Sequence, residues 1–302
     1  MNRKVLLLYG GFSAEKEVSI NSKSDTANAL KSSGYTVIEH NLTDVWKLLD
    51  VIKKEKPDVV YNGLYGNWGE DGELQGFLDM LQIPYTHSGL RASALGMDKQ
   101  LTKLIAAANG IKVANGKKML AGDYLKNNCS IPYPHVIKPV SDGSSVGVFI
   151  VKTEADKVKV QYSDESLEVL VEEFIDGHEL TVMCLNGKSS VVTELCAKNE
   201  FYDYEAKYTD GVTQHILPAP IPSDVAETCC RYAETLHNAL GCNTLSRCDF
   251  RYNTKDGVVL LEINTAPGMT ALSLVPEQAK YLGITYAELC DMLVKNAKCR
   301  ER

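Results

Sequence analysis

The stretch Ser246-Arg247-Cys248-Asp249-Phe250-Arg251, a polar turn at Asn253-Thr254-Lys255-Asp256-Gly257, and then Leu261-Glu262-Ile263-Asn264-Thr265-Ala266-Pro267-Gly268-Met269-Thr270 decides how this chain is read. Both flanks alternate as strands do, and the turn-forming residues between them fit a hairpin loop. A strand sends successive side chains to opposite faces, so Glu262 and Asn264 share one face. Asp249 joins them if an even number of residues closes the loop; a slip of one residue would send it to the far side. Two carboxylates and an amide oxygen then converge. Such an all-oxygen set suits a hard cation such as Mg2+, which keeps waters and shares substrate phosphates, and does not suit zinc. The plainer reading is an exposed acidic hairpin. Apolar Leu260, Leu261 and Ile263 argue against it, because they make Glu262 an acid within a mostly buried strand.

Outward from this segment, 302 residues leave room for two or three modest domains. The net charge is −7 with both signs spread along the chain and no basic block. Neither nucleic acid nor a membrane is therefore an expected partner, and a small substrate is. Met1-Asn2-Arg3-Lys4 before Val5-Leu6-Leu7-Leu8-Tyr9 has the outline of a signal peptide, but its apolar run ends well short of the roughly 7–15 residues of an h-region. It reads as a buried strand. No stretch approaches the roughly 18 apolar residues of a membrane span. The 9 cysteines lack C-x-x-C spacing, and Cys184, Cys196 and Cys290 sit in apolar surroundings. Free thiols in a reducing cytoplasm are expected.

Three segments differ in character. The first alternates strands and helices: Val5 to Tyr9, Glu17 to Ser33, Thr36 to Glu39, Val45 to Lys54, Val59 to Tyr61 and Leu74 to Leu81. Such alternation predicts a parallel, doubly wound α/β sheet whose ligands sit on the loops after its strands. A second segment begins near Ala92, with a helix over Lys99 to Ala108 and its best strand at Val136-Ile137-Lys138. The third, from about Glu179, is richest in antiparallel signals and closes with a helix over Tyr286 to Lys298.

Several loops carry candidate chemistry. Gly10-Gly11-Phe12-Ser13-Ala14-Glu15 follows the first strand, but Phe12 or Ser13 stands where a dinucleotide fingerprint needs its second glycine, which disfavours an oxidoreductase. Glu15 either favours the following helix through its dipole or faces a ligand. Lys138-Pro139-Val140-Ser141-Asp142-Gly143-Ser144-Ser145-Val146-Gly147 can cradle phosphate on backbone N–H groups, although a plain surface turn would look alike, and it is not a Walker loop. The strand Leu170 to Ile175, running through Asp176-Gly177-His178 to Glu179, reads as a hinge for a nucleotide or as a solvated acidic turn. Phe201 to Tyr208 has the aromatic and charged composition of a lid loop.

In order and spacing these pieces resemble the D-alanine–D-alanine ligase family of the ATP-grasp superfamily. The resemblance rests on Gly-Gly-x-Ser-Ala-Glu at 10–15, Gly69-Glu70-Asp71-Gly72, Met97-Asp98-Lys99, Lys138 with Gly143 to Gly147, Glu205-Ala206-Lys207-Tyr208, and Glu262-x-Asn264-Thr265-x-Pro267-Gly268-Met269-Thr270. It spans the whole chain and implies a three-domain ATP-grasp architecture: residues 1–93 as an N-terminal Rossmann-like substrate domain, 94–178 as the central and 179–302 as the C-terminal ATP-grasp domain, the last two α+β and gripping ATP. It further implies ATP-dependent joining of two D-alanines through an acyl phosphate for the peptidoglycan precursor. Lys99, Lys138 and Lys207 are then expected on phosphate, and Glu172, Glu173, Phe174 and Ile175 on adenine. Glu179 would meet the ribose, and Asp249, Glu262 and Asn264 two Mg2+ ions, for which Mn2+ can substitute. Arg247 and the Gly268 N–H would form an oxyanion hole, and Glu15 would pair with the first D-alanine's ammonium. Ser144 and Tyr208 would complete a triad with Glu15, while Ser273 and the Leu274 backbone would hold the second carboxylate. A cytoplasmic homodimer is expected. A related ATP-grasp enzyme joining other small acids or amines is the alternative.

The departures are few. Tyr65 replaces the family's usual histidine, which ordinarily helps place a D-alanine carboxylate; Tyr can donate one hydrogen bond there but cannot become positively charged near neutral pH. Ala266 replaces a common serine and Cys248 a common aliphatic residue.

Overall fold

The computed structural model describes residues 3–126, 128–143, 146–197, 213–270 and 273–300. Its N-terminal part is the alternating segment the sequence predicts. Strands β1 (Lys4–Gly10), β2 (Thr36–Leu42) and β3 (Val59–Asn62) form a parallel sheet in the order β2-β1-β3. Helices α1 (Lys16–Ser32), α2 (Val45–Glu55) and α3 (Glu73–Leu81) connect and flank it. The apolar run Val5 to Leu8 is buried on both faces, as a parallel strand requires. Val5 and Leu7 pack with Ala27 and Leu30 of α1, while Leu6 and Leu8 pack with Leu48, Ile52, Leu74 and Leu78 of α2 and α3. Helices on both faces make the sheet doubly wound. Asp44 caps α2 by accepting the Trp46 N–H at 2.8 Å.

Two short helices follow, α4 (Leu90–Met97) and α5 (Lys99–Ala108), with Asp98 capping α5 by accepting the Leu101 N–H. They precede the four-stranded antiparallel sheet in the order β4-β7-β5-β6, formed by β4 (Gly116–Leu120), β5 (His135–Pro139), β6 (Phe149–Val151) and β7 (Glu168–Glu173), with α6 (Ala121–Leu125) beside it. A larger antiparallel sheet runs β11-β10-β8-β12-β13, with β9 (Lys188–Ser189) added on β8. Its members are β8 (His178–Leu185), β10 (Thr193–Ala197), β11 (Thr213–Ile216), β12 (Leu245–Asn253) and β13 (Gly257–Asn264). Helix α7 (Ser223–Leu240) covers one face of it, and α8 (Leu274–Tyr281) and α9 (Tyr286–Lys295) follow.

The cores join these layers. Ala92 and Ala106 of α4 and α5 are buried with Leu180, Val182, Cys229, Leu236 and Phe250, so these helices pack on the C-terminal sheet. Val5, Leu7 and Tyr61 share another core with Met183, Leu245, Val275, Leu289 and Leu293. The last helix therefore lies against the first sheet. It ends at Lys295 rather than at the expected Lys298, because the Lys298 backbone pairs with Tyr85 instead. No helix among the described residues is long and apolar enough to cross a membrane.

Candidate active site

The hairpin expected near the C-terminus forms, but its register is reached by another route. Strands β12 and β13 close on the pair Asn253↔Gly257, around the three residues Thr254, Lys255 and Asp256. Three is odd, and an unbroken ladder from that closure would set Asp249 opposite Leu261 and turn Glu262 away. A β-bulge intervenes: the pairs run Phe250↔Leu260 and then Asp249↔Glu262, leaving Leu261 as the extra residue. One additional residue on one strand restores the parity that the loop removed. Asp249 thus faces Glu262, and Arg247 faces Asn264. The requirement for an even loop is corrected, while the convergence it was meant to secure is present.

Asp249 is buried and fully engaged. Arg247 forks onto it, with Nε to Oδ1 at 2.9 Å and Nη2 to Oδ2 at 2.8 Å. Thr181 Oγ1 donates to Oδ1 at 2.6 Å, and Asn264 Nδ2 reaches Oδ2 at 3.2 Å. Glu262 lies 3.9 Å from Lys99 Nζ, which also donates to the Asp142 carbonyl at 2.5 Å. The set Asp249, Glu262 and Asn264 offers hard oxygens alone and so fits Mg2+. A cation on Asp249 would compete with the Arg247 fork. Among the described residues no three or more His, Cys, Asp or Glu gather as a group that could hold a metal ion.

Across from the hairpin stands the central sheet. Lys138, Glu172, Ile175, Glu179, Asp249 and Leu261 line one continuous cleft between the two sheets. Glu172, expected against adenine, is the counter-ion of two lysines: Lys138 takes one carboxylate oxygen and Lys103 the other. Burial alone would raise the Glu172 pKa, but the two ammonium groups outweigh it and hold the carboxyl below its ordinary range. Lys103 was not singled out from the sequence; its spacing of four from Lys99 on one helix was the available signal. Glu173 is exposed and accepts the Asn115 N–H at 2.9 Å, and the Phe174 N–H donates to the Pro134 carbonyl at 3.1 Å. Ile175 packs with Ala114 and Val259. Glu179 pairs with Arg251 of the neighbouring strand at 2.7 Å.

On the N-terminal side, Glu15 ends the glycine loop and is about nine-tenths buried. Its carboxylate lies between two glycines: a Cβ on Gly66 or Gly143 would come within 2.6 or 2.8 Å of Oε2. Those positions are therefore closed to any side chain while Glu15 keeps this pose. Glu70, quoted only as part of a motif, is drawn into the same site. Burial, then the charge of Glu15, pushes its carboxyl well above the ordinary range, with Arg247 opposing and Glu262 adding.

Gly268 and Ser273 flank the start of α8. A Cβ on Gly268 would meet Ser273 Oγ at 3.2 Å, and that hydroxyl accepts the Thr270 N–H at 3.0 Å. Tyr65 is buried, and its hydroxyl oxygen accepts the Met269 N–H at 3.1 Å while lying 3.1 Å from Ser22 Oγ. Burial pushes the phenol up to about 12. Ser144, Lys207 and Tyr208 lie outside the described residues.

A doubly wound N-terminal sheet, with a cleft between two antiparallel sheets lined by both lysines and acids, defines the ATP-grasp class. A family model described as D-ala D-ala ligase C-terminus matches residues 105–295. A D-alanine–D-alanine ligase of Zymomonas mobilis is 45% identical, covering 98% of this chain and 94% of its own length. That of Paramagnetospirillum magneticum is also 45% identical, over 99% of this chain and all of its own. Among solved structures, the Bacillus anthracis D-alanine–D-alanine ligase complexed with ATP superposes with a TM-score of 0.82 at 30% identity, covering 98% of this chain and 97% of that one. VanG D-Ala:D-Ser ligase from Enterococcus faecalis does so with 0.81 at 27% identity, covering 98% and 99%. The chain belongs to the D-alanine–D-alanine ligase family.

Proposed function

We propose that this protein joins two D-alanines into D-alanyl-D-alanine at the expense of ATP, supplying the peptidoglycan precursor in the cytoplasm. The observation that carries the reading is the cleft itself, lined by Lys99, Lys138, Asp249 and Glu262, with Lys99 Nζ 3.9 Å from Glu262. A carboxylate oxygen of the first D-alanine attacks the γ-phosphorus, the bond to the βγ-bridging oxygen breaks, and ADP leaves. The neutral amine of the second D-alanine then attacks the carbonyl carbon of the acyl phosphate. The tetrahedral oxyanion collapses, phosphate departs, and the amine proton is lost.

Phosphoryl transfer depends on positioning and charge neutralisation, so Lys99, Lys138 and Lys207 serve by contacting phosphate oxygens. Asp249, Glu262 and Asn264 would hold two Mg2+ ions, or Mn2+ in their place, which neutralise charge on the transferring phosphoryl group. Glu172 to Ile175 take the adenine and Glu179 the ribose. Lys103 keeps Glu172 ionised when Lys138 turns to phosphate. Glu15 pairs with the first substrate's ammonium, a charge-assisted contact, with Ser144 and Tyr208 completing a triad that closes the lid. Arg247 and the Gly268 N–H stabilise the oxyanion, and Ser273 with the Leu274 N–H at a helix start receives the second carboxylate. The three units at 1–93, 94–178 and 179–302, and a homodimer, belong to the same reading. Dipeptide and phosphate release from D-alanine, ATP and Mg2+ tests it. A screen with D-serine and D-lactate as second substrates separates it from a ligase with another nucleophile; absence of any dipeptide would refute it.

A further inference from the structure

Tyr65 stands where the family's histidine is expected to meet a substrate carboxylate, yet its hydroxyl has no proton left for one. Its oxygen accepts the Met269 N–H at 3.1 Å. Ser22 Oγ, 3.1 Å away, gives its own proton to the Ser19 carbonyl at 3.0 Å, so the Tyr65 proton goes to Ser22. The other end of Met269 is held likewise: the Tyr286 hydroxyl donates to the Met269 carbonyl at 2.8 Å and lies 2.8 Å from Thr26 Oγ1. Ser22 and Thr26 are both on α1, one turn apart, and both are buried. Met269 is itself buried and follows Gly268 directly.

We propose that Tyr65 and Tyr286 are positioning residues that clamp Met269 between them, and so fix the direction of the adjoining Gly268 N–H toward the oxyanion. The inference deepens the proposed function and rests on it. None of the hydrogen bonds among the described residues uses the Gly268 N–H, which leaves that donor available to substrate. A donor aimed before the reaction costs no reorganisation when charge develops. The clamp joins the loop after β3, helix α1 and the start of α9 to the loop ahead of α8, so the packing of the N-terminal part on α9 sets the geometry of a catalytic donor. Tyrosine is long enough to span that gap and, unlike histidine near neutral pH, does not change charge.

The test separates the two chemical steps. In Tyr65→Phe, kcat for dipeptide synthesis should fall about ten-fold or more, less than complete removal of an oxyanion donor. Both D-alanine KM values should stay within about two-fold. Positional exchange in ATP labelled with oxygen-18 at the βγ bridge, which reports acyl-phosphate formation alone, should continue at the original rate. Tyr286→Phe should behave alike, and the double variant should be no slower than the slower single, because the two hydroxyls hold the N–H and the carbonyl of one residue. Dipeptide kcat unchanged in both variants would overturn the inference. So would a raised KM for the first D-alanine with kcat intact, which would put the hydroxyl on substrate, or isotope exchange falling in parallel with dipeptide, which would mark a general collapse of the site. Absence of dipeptide from the unsubstituted chain would instead sink the function on which the inference rests.

Discussion

The proposed role of Glu262 in holding metal makes few demands on the fold. Its side chain is 30% exposed, and Lys99 Nζ lies 3.9 Å away. Replacement by glutamine keeps the shape and one oxygen but removes the charge. Glu262→Gln should lower turnover by at least about a hundredfold, the scale of losing metal-borne charge neutralisation. The melting temperature should stay within about 2 °C. Turnover retained at ordinary Mg2+ would remove Glu262 from the metal set. Asp249 is the contrast. It carries Arg247, Thr181 and Asn264, so its removal would leave buried donors unpaired and confound folding with catalysis.

The bulge that restores the Asp249↔Glu262 pair also turns Leu261, half-buried, into the nucleotide cleft beside Glu262. Leu261 thus becomes an apolar wall of the site. Truncating a partly buried leucine loses roughly 1–2 kcal/mol of apolar contact, which for binding corresponds to about ten-fold. Leu261→Ala should therefore raise the apparent KM for ATP by about that factor and leave kcat within two-fold. Equal losses in kcat would mean that the substitution has disturbed the bulge and the register of the acids with it.

The cleft lies between the central and C-terminal sheets, and nucleotide bound there should stabilise the fold by mass action, about 2.7 kcal/mol at a hundred times Kd. Thermal unfolding with ATP, with and without Mg2+, should show the larger rise with Mg2+, and Glu262→Gln should remove that increment; equal rises would separate the hairpin acids from the metal. A second effect lies at the junction of the first sheet with the C-terminal unit. There His87 packs edge-on to Tyr61, and its carbonyl accepts from Asn243 Nδ2 at 3.2 Å. Its Nε2 is buried and has no hydrogen-bond partner among the described residues, and burial lowers its pKa from 6.5 to about 4. Between those values the unfolded chain binds a proton that the folded chain refuses, so stability falls as pH falls through this window, by about 3 kcal/mol at its end. His135 and His237, also lowered by burial, act in the same sense. Asparagine tolerates the left-handed backbone at this position (φ 68°) and does not titrate. His87→Asn should flatten the decline in unfolding free energy between pH 6.5 and 4 without abolishing it; an unchanged slope would place the acid lability elsewhere.

The alternation of the first sheet, the glycine loops, the donor types of the hairpin and the order of motifs that marks the family are legible along the chain. These are local quantities, set by side-chain period, backbone freedom and hydrogen-bonding chemistry within a few residues. Packing in three dimensions set Asp249 and Glu262 opposite one another, because a three-residue loop and a one-residue bulge compensate in parity and neither has a distinctive composition. It alone decided that Lys103 shares Glu172 with Lys138, across 69 residues of chain. The same holds for the Tyr65 hydroxyl, which belongs to Met269, 204 residues away. A partner at that distance is chosen by how sheets and helices pack, and a residue's own neighbours in sequence carry no record of it.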